Sequence, residues 1–178
     1  FRFGFRADRE GTVIRDFQKI RIDDKKSGTK ISNRYYLSDA MFLAAVEGDR
    51  ESLDNIVDAL RCPFFPLYLG RRSCPPEGKL ILGIRDENIE DVLANEPCLD
   101  DSKAKAKDVR LRVQLEADSS DDGVFYQKDL PLSFDFANRQ YGYRALREYW
   151  VTPSSAFNVG KETRHDPFTL LGDEESCS

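Results

Sequence analysis

The strongest constraint on the fold is the order in which β-type and helical patterns follow one another along the first sixty residues. Between Phe1 and Arg6, aromatic residues alternate with arginines and a glycine, which is typical of a β-strand. Residues Thr12 to Ile22 are also β-rich, and after a polar stretch a longer strand is predicted from Tyr35 to Val46. The segment from Thr12 to Arg34 is therefore predicted to be an extended insertion between two strands.

A single apolar stripe follows and predicts a helix. Its members fall at positions i, i+3, i+4 and i+7, Asp49 can cap its first turn, and Pro63 ends it; the stripe consists of Leu53, Ile56, Val57 and Leu60. A second, shorter helix is predicted at Ile89 to Leu93, where Asn88 and Asp91 have the spacing of an N-terminal cap.

The remaining patterns are mainly of the β type. A short strand is predicted just before Gly70, and another from Leu80 to Ile84. Between Val109 and Leu115, apolar residues alternate with polar ones, as in a half-buried strand. An apolar and aromatic block covers Leu130 to Val151, and the residues after Pro153 have the composition of a tail. The expected fold class is α+β.

The order strand, long hairpin, strand, helix, strand fits the second half of a ferredoxin-like β-α-β-β-α-β unit. Its first strand and first helix would then precede Phe1. On this interpretation the opening strand lacks a neighbour and forms an exposed sheet edge.

The charge is separated along the chain although the net charge is only −5. Residues 1 to 36 carry ten Lys or Arg against five Asp or Glu, residues 37 to 60 one against six, and residues 61 to 85 five against one. Separated basic blocks favour a polyanionic partner on one surface. An isoelectric point near 5.1 argues against a nonspecific nucleic-acid binder.

Two short segments are candidate binding sites. In Gly70-Arg71-Arg72 the glycine allows close approach of a ligand, and two adjacent guanidinium groups cannot both enter a core, although an ordinary solvated loop would have the same sequence. In Arg34-Tyr35-Tyr36 a cation stands beside two phenols. This arrangement suits base stacking, or equally a strand with one tyrosine in the core.

Several chemistries are not supported by the sequence. The single histidine, His165, lies near the C-terminus, so histidine-dependent catalysis in a folded pocket is not expected. No C-x-x-C pair occurs, and the pairs Asp100-Asp101 and Asp121-Asp122 are interpreted as solvated loops, so we expect neither metal nor cofactor. No apolar run approaches the roughly 20 residues of a bilayer span. We therefore expect a cytoplasmic protein without a membrane partner.

The sequence resembles a known family in several segments, of which the block from Tyr68 to Pro75, Tyr-Leu-Gly-Arg-Arg-Ser-Cys-Pro, is the most specific. The others are Phe1 to Asp8, Val13 to Phe17, Tyr35 to Phe42, and Leu130 to Tyr143. In these segments the chain resembles the Cas-five family, and within it the CasD subunits of the type I-E CRISPR surveillance complex Cascade. The resemblance extends from Phe1 to about Val151.

The resemblance implies a non-catalytic RNA-binding subunit with a ferredoxin-like core of the RAMP superfamily, similar to an RRM domain, and an extended β-hairpin thumb. Such a subunit grips the 5′ handle of the crRNA, packs against the last backbone subunit, CasC, and so caps the backbone filament beside the large subunit CasA, which it supports. Target DNA is then contacted only through the complex. Two departures are the missing N-terminal strand and helix, and Phe17-Gln18 where many members have an aromatic residue followed by histidine.

The implied division of the chain has three parts. Residues 1–100 would form a partial ferredoxin-like RNA-binding domain with the thumb at about 12–34, residues 101–152 a C-terminal β-rich segment, and residues 153–178 an irregular tail. The candidate RNA-binding residues lie on the thumb and in the cationic loop: Arg15, Lys19, Arg21, Lys25, Lys26, Lys30, Arg34, Tyr35, Tyr68, Gly70, Arg71 and Arg72.

Two other functions remain open at this point. Related Cas-five proteins of a different CRISPR subtype trim precursor RNA, so a metal-independent endoribonuclease is the main alternative. The histidine content argues against it, because only tyrosines, lysines and His165 could act as a general base. The second alternative is an assembly subunit without RNA contacts.

Overall fold

Seven strands and two α-helices make up the computed structural model, which describes residues 1–21, 29–103 and 109–153. The strands are β1 (Arg2–Arg9), β2 (Thr12–Arg21), β3 (Thr29–Ser38), β4 (Met41–Glu47), β5 (Leu111–Glu116), β6 (Val124–Ser133) and β7 (Gln140–Val151). The helices are α1 (Arg50–Arg61) and α2 (Ile89–Asn95), with a short 3₁₀ helix at Asp101–Lys103. The predicted α+β class is confirmed.

Five strands form one antiparallel sheet in the order β4-β1-β5-β7-β6. Strand β1 is an interior strand of this sheet, because it pairs with β4 on one side and with β5 on the other. The expectation that the opening strand forms an exposed edge is therefore wrong. The strand β5, distant in sequence, supplies the second neighbour.

The core lies between this sheet and α2. Its buried residues come from both: Leu43, Ile89, Leu93, Val113 and Leu115. On β1 the side that faces this core carries Gly4 and Arg6, whereas Phe3 and Phe5 on the opposite side are partly exposed. A Cβ at position 4 would lie 2.7 Å from Leu115 Cδ1, so any larger residue there would force the buried leucine side chains to shift.

A buried ion pair connects β1 to the end of α2. The Arg6 guanidinium donates to Asp8 Oδ1 at 2.6 Å and to Asp8 Oδ2 at 3.0 Å, and both side chains are fully buried. Arg6 also donates to the carbonyl groups of Leu93, Glu96 and Pro97. A buried charge is tolerated only when it is paired and hydrogen-bonded. The ion pair lies within β1, and the three carbonyl contacts tie this strand to the end of α2 and the residues after it.

Helix α1 begins as predicted, with the Asp49 side chain accepting a hydrogen bond from the Ser52 backbone N–H. The Asn88 side chain caps α2 in the same way, through the N–H of Asp91. None of the α1 residues is buried, so its apolar stripe is only half-covered within the described residues. No described helix is long and apolar enough to cross a membrane.

Three sequence predictions are wrong. The strand predicted from Tyr35 to Val46 is two strands, because the chain turns at Asp39, where φ is +57°. The strands predicted before Gly70 and from Leu80 to Ile84 are absent from the described chain, which is irregular from 62 to 88. The prolines of this region cannot donate to a sheet ladder, and most of its apolar side chains stay exposed.

Candidate nucleic-acid interface

Strands β2 and β3 form a two-stranded antiparallel sheet of their own, separate from the five-stranded sheet. Their register runs from Thr12 opposite Ser38 to Arg21 opposite Thr29. We call this element the hairpin. Because side chains alternate between the two faces of a strand, the register alone decides which candidate residues share a surface.

The root of the hairpin is held at both of its connections to the five-stranded sheet. Gly11 has φ +76°, and a Cβ there would lie 2.7 Å from the Ser38 carbonyl oxygen. The preceding residue, Glu10, accepts two hydrogen bonds from Arg112, both at 2.8 Å. At the other connection Asp39 accepts from Arg9 at 2.6 Å. These contacts fix where the hairpin leaves the sheet.

One face of the hairpin is exposed along its described length and carries cationic, aromatic and aliphatic side chains. Its cations are Arg15 and Lys19, and its aromatic residues Phe17 and Tyr35 are 51% and 66% exposed. The full described set is Val13, Arg15, Phe17, Lys19, Ile31, Asn33, Tyr35 and Leu37. None of these is acidic, so an anion approaching this face meets no carboxylate on it.

The opposite face carries Lys30, Arg34 and Tyr36. Arg34 and Tyr36 are partly buried, whereas Lys30 is exposed. Asp16, which faces Arg34 across the register, accepts a hydrogen bond from the Gln18 side chain at 2.7 Å. The candidate cations of the hairpin are therefore divided between its two faces.

The cationic loop from Leu69 to Cys74 is closed by backbone hydrogen bonds. The Leu69 N–H donates to the Cys74 carbonyl at 2.7 Å, and the Cys74 N–H donates to the Arg71 carbonyl at 2.9 Å. Gly70 has φ +77°, a conformation that glycine adopts without strain, and a Cβ there would meet nothing within 4 Å. The glycine therefore serves the turn, and the backbone beside it stays open.

The loop reaches the hairpin through a cation–π contact. The Arg71 guanidinium carbon lies 5.0 Å from the centre of the Tyr36 ring, within the range of such contacts. Arg71 is half-buried, whereas the next residue, Arg72, is exposed, and Tyr68 at the start of the loop is 49% exposed. The structure thus brings the loop and one hairpin face together at Tyr36, whereas the candidate residue Tyr35 lies on the opposite, exposed face.

Ion pairing separates the candidate residues from most other arginines. Elsewhere arginines pair with carboxylates: Arg2, Arg6, Arg9, Arg50, Arg61, Arg85, Arg112, Arg144 and Arg147. Six candidate residues form no ion pair with any carboxylate of the described residues: Arg15, Lys19, Lys30, Arg34, Arg71 and Arg72. Arg110, which lies over Trp150, and Arg139 are the other described arginine side chains without one.

The arginines that form ion pairs are strongly bound to their carboxylate partners, as the pKa values of those carboxylates show. The hydrogen bonds from Arg112 hold the pKa of the Glu10 carboxyl below its ordinary value. Those from Arg9 hold the pKa of the Asp100 carboxyl far below the usual range, with further donation from Ser102. These guanidinium groups are already committed to protein carboxylates. Among the described residues, the cations of the hairpin and the loop have no such carboxylate partner.

The sequence analysis placed some residues differently. Asp100 was interpreted as part of a solvated loop, but it is buried and bound by Arg9. Tyr36 belongs to a candidate segment but not to the list of RNA-binding residues, and Asp39 belongs to neither. The loop contact reveals the position of Tyr36, and the hydrogen bond from Arg9 that of Asp39. Lys25 and Lys26 lie outside the described residues, as does the side chain of Arg21.

The chain is similar to known proteins over most of its length. A family described as CRISPR-associated protein (Cas_Cas5) matches residues 1–147, a range that includes both the hairpin and the loop. Among solved structures, a chain of a "CRISPR RNA-guided surveillance complex" is similar, with a TM-score of 0.68 and 29% identity over 96% of this chain and 76% of that chain. No curated protein matches this chain.

Proposed function

The chain belongs to the CRISPR-associated protein (Cas_Cas5) family, and from this premise we propose that it binds the guide RNA of a CRISPR surveillance complex without cleaving it. The observation that carries the proposal is the group of unpaired cations on the hairpin and in the adjoining loop. In a chain whose other arginines are mostly neutralised, these cations are available to a polyanion.

The exposed hairpin face suits single-stranded RNA in particular. A single strand presents phosphates together with bases that can be splayed apart and stacked on aromatic rings. Arg15 and Lys19 stand on the same face as Phe17 and Tyr35, so one nucleotide segment can contact a cation and a ring at once. The bases of a double helix are stacked on one another, so they are not free to stack on these rings.

We further propose that the RNA segment is the 5′ handle of the crRNA, and that the protein is of the CasD type in a type I-E complex. It would then cap the backbone filament beside CasC and support CasA. The support is the Tyr68 to Pro75 block together with the match to a surveillance-complex chain. The paired strands β1 and β4, together with α1, which follows β4, would correspond to part of a ferredoxin-like core.

The test is the salt dependence of RNA binding. Full-length protein is titrated with an RNA carrying the 5′ handle at several salt concentrations, in the wild type and in the variant Arg15→Ala/Lys19→Ala. Each phosphate contact on a single strand contributes about 0.7 to the slope of log K against log salt, so the variant is expected to lose up to about 1.4. A wild-type slope in the variant would contradict the proposed interface.

The matched control removes two cations from another surface. Arg50→Ala/Arg61→Ala acts on α1, where the two guanidinium groups are paired with Asp54 and Asp58, so the slope is expected to stay at the wild-type value. The same samples are incubated with a full repeat RNA and resolved by size. Intact RNA supports the non-catalytic assignment, whereas discrete cleavage upstream of the handle would replace it with a processing endoribonuclease.

A further inference from the structure

The two adjacent arginines of the loop differ in their surroundings. We propose that Arg71 is a positioning residue that holds the hairpin against the loop through Tyr36, and that Arg72 alone of the pair contacts RNA phosphate. This inference rests on the proposed function, since it assigns separate roles within the same interface. It departs from the sequence-based expectation that both Arg71 and Arg72 bind RNA.

The position of Arg71 favours a structural contact. Its guanidinium carbon lies 5.0 Å from the centre of the Tyr36 ring, and both side chains are partly buried. The Arg71 carbonyl accepts the hydrogen bond that closes the loop, so the backbone that carries this side chain is fixed. A guanidinium lying over a ring on a fixed backbone is already committed to that ring.

Arg72 has none of these contacts within the described residues. Its side chain is exposed and has neither an ion pair nor an aromatic partner there. Gly70 lies two residues before it in the same closed loop, and a Cβ there would meet no atom within 4 Å, so a phosphate can approach the loop backbone. An exposed guanidinium on a closed loop is a suitable donor for two phosphate oxygens.

The hairpin needs such a contact because an isolated two-stranded hairpin is only marginally stable in water. Its root is fixed by the contacts of Glu10 and Asp39, but these act where the strands leave the main sheet. Tyr36 pairs with Ile14, two residue pairs further out than the Thr12–Ser38 pair at the root. A contact at Tyr36 therefore restrains the tilt of the hairpin, which the root contacts alone leave free.

The experiment compares single and double variants of the full-length protein in the salt-dependent titration with handle RNA. Arg71→Gln and Tyr36→Leu both remove the cation–π contact and are expected to weaken binding about fivefold with the wild-type salt slope, since such contacts contribute about 1 kcal/mol. Tyr36→Phe and Arg71→Lys keep a ring and a cation and are expected to restore most of the affinity. Arg72→Gln is expected to reduce the slope by about 0.7.

The outcomes separate the inference from the function on which it rests. A reduced slope in Arg71→Gln, or wild-type affinity in Tyr36→Leu, would overturn the positioning role while leaving RNA binding intact. Wild-type slopes in both Arg72→Gln and Arg15→Ala/Lys19→Ala would instead overturn the proposed function. The double variant Arg71→Gln/Tyr36→Leu is expected to bind as each single variant does, because one contact is lost in all three. Additive losses would also contradict the inference.

Discussion

The Arg9 guanidinium donates to Asp39 at 2.6 Å, although thirty residues separate the two in sequence. This bond joins the end of β1 to the turn between β3 and β4, so it closes the root of the hairpin from one connection to the other. The same guanidinium makes two hydrogen bonds to the buried Asp100, at 3.0 and 2.6 Å. One arginine therefore fixes both the hairpin root and the segment after α2.

Two substitutions of Asp39 should distinguish the contribution of its charge to stability from the contribution of its backbone conformation. Asp39→Asn loses the ion pair but keeps a residue that tolerates a φ of +57°, so we expect a small loss of stability because the pair is exposed. Asp39→Val places a β-branched residue at the same φ, which costs about 1–2 kcal/mol. Chemical denaturation measures both, and equal losses would contradict the backbone argument.

Replacing Arg6 should destabilise the fold strongly. Arg6→Met leaves the buried Asp8 carboxylate without its counter-charge and three carbonyl groups without their donor, so we expect a loss of about 3–5 kcal/mol in the free energy of unfolding. The change is measured by urea denaturation of the full chain.

A second substitution tests the cause of that loss. In Arg6→Met/Asp8→Asn the buried negative charge is removed, while a side-chain oxygen remains for the Leu99 N–H that Asp8 binds at 2.5 Å. We expect this double variant to be more stable than Arg6→Met. If it is less stable, the unpaired charge is not the main cost.

Stability should fall in mild acid because of Asp100. Hydrogen bonds from Arg9 and Ser102 lower the pKa of this carboxyl in the folded state, while an unfolded Asp titrates near about 3.9. The contribution is therefore fully present above about pH 5 and is lost as the pH falls toward the folded pKa. Asp100→Asn should flatten the decline in unfolding free energy between about pH 5 and 3, and an unchanged decline would contradict the assignment.

Local sequence signals predicted those elements that are marked by a capping residue or by strict alternation of apolar and polar residues. The caps of α1 and α2 come from Asp49 and Asn88, each bonding a backbone N–H three residues ahead. The alternation on β5 likewise matches its buried Leu111, Val113 and Leu115. The strands predicted before Gly70 and at Leu80 to Ile84 were wrong because an apolar run does not form a strand without a neighbouring strand to pair with.

For the candidate site, the sequence indicated which segments carry the cations, since charge is visible in composition. It did not indicate which cations are free. Arg6 and Arg9 have the same residue type as Arg15 and Arg72, yet the first two are bound by Asp8 and Asp100. That difference depends on carboxylates brought close by folding, which no local pattern records.

The sequence by itself determined the α+β class, the two capped helices, the extended insertion after β1 and the segregation of basic residues. Each follows from periodicity or from residue types within a few positions of one another. Only the tertiary structure decided that β5 completes the sheet beside β1, that Arg71 meets Tyr36, and which cations stay unpaired. These depend on contacts between distant residues, whose register is set by packing of the whole chain.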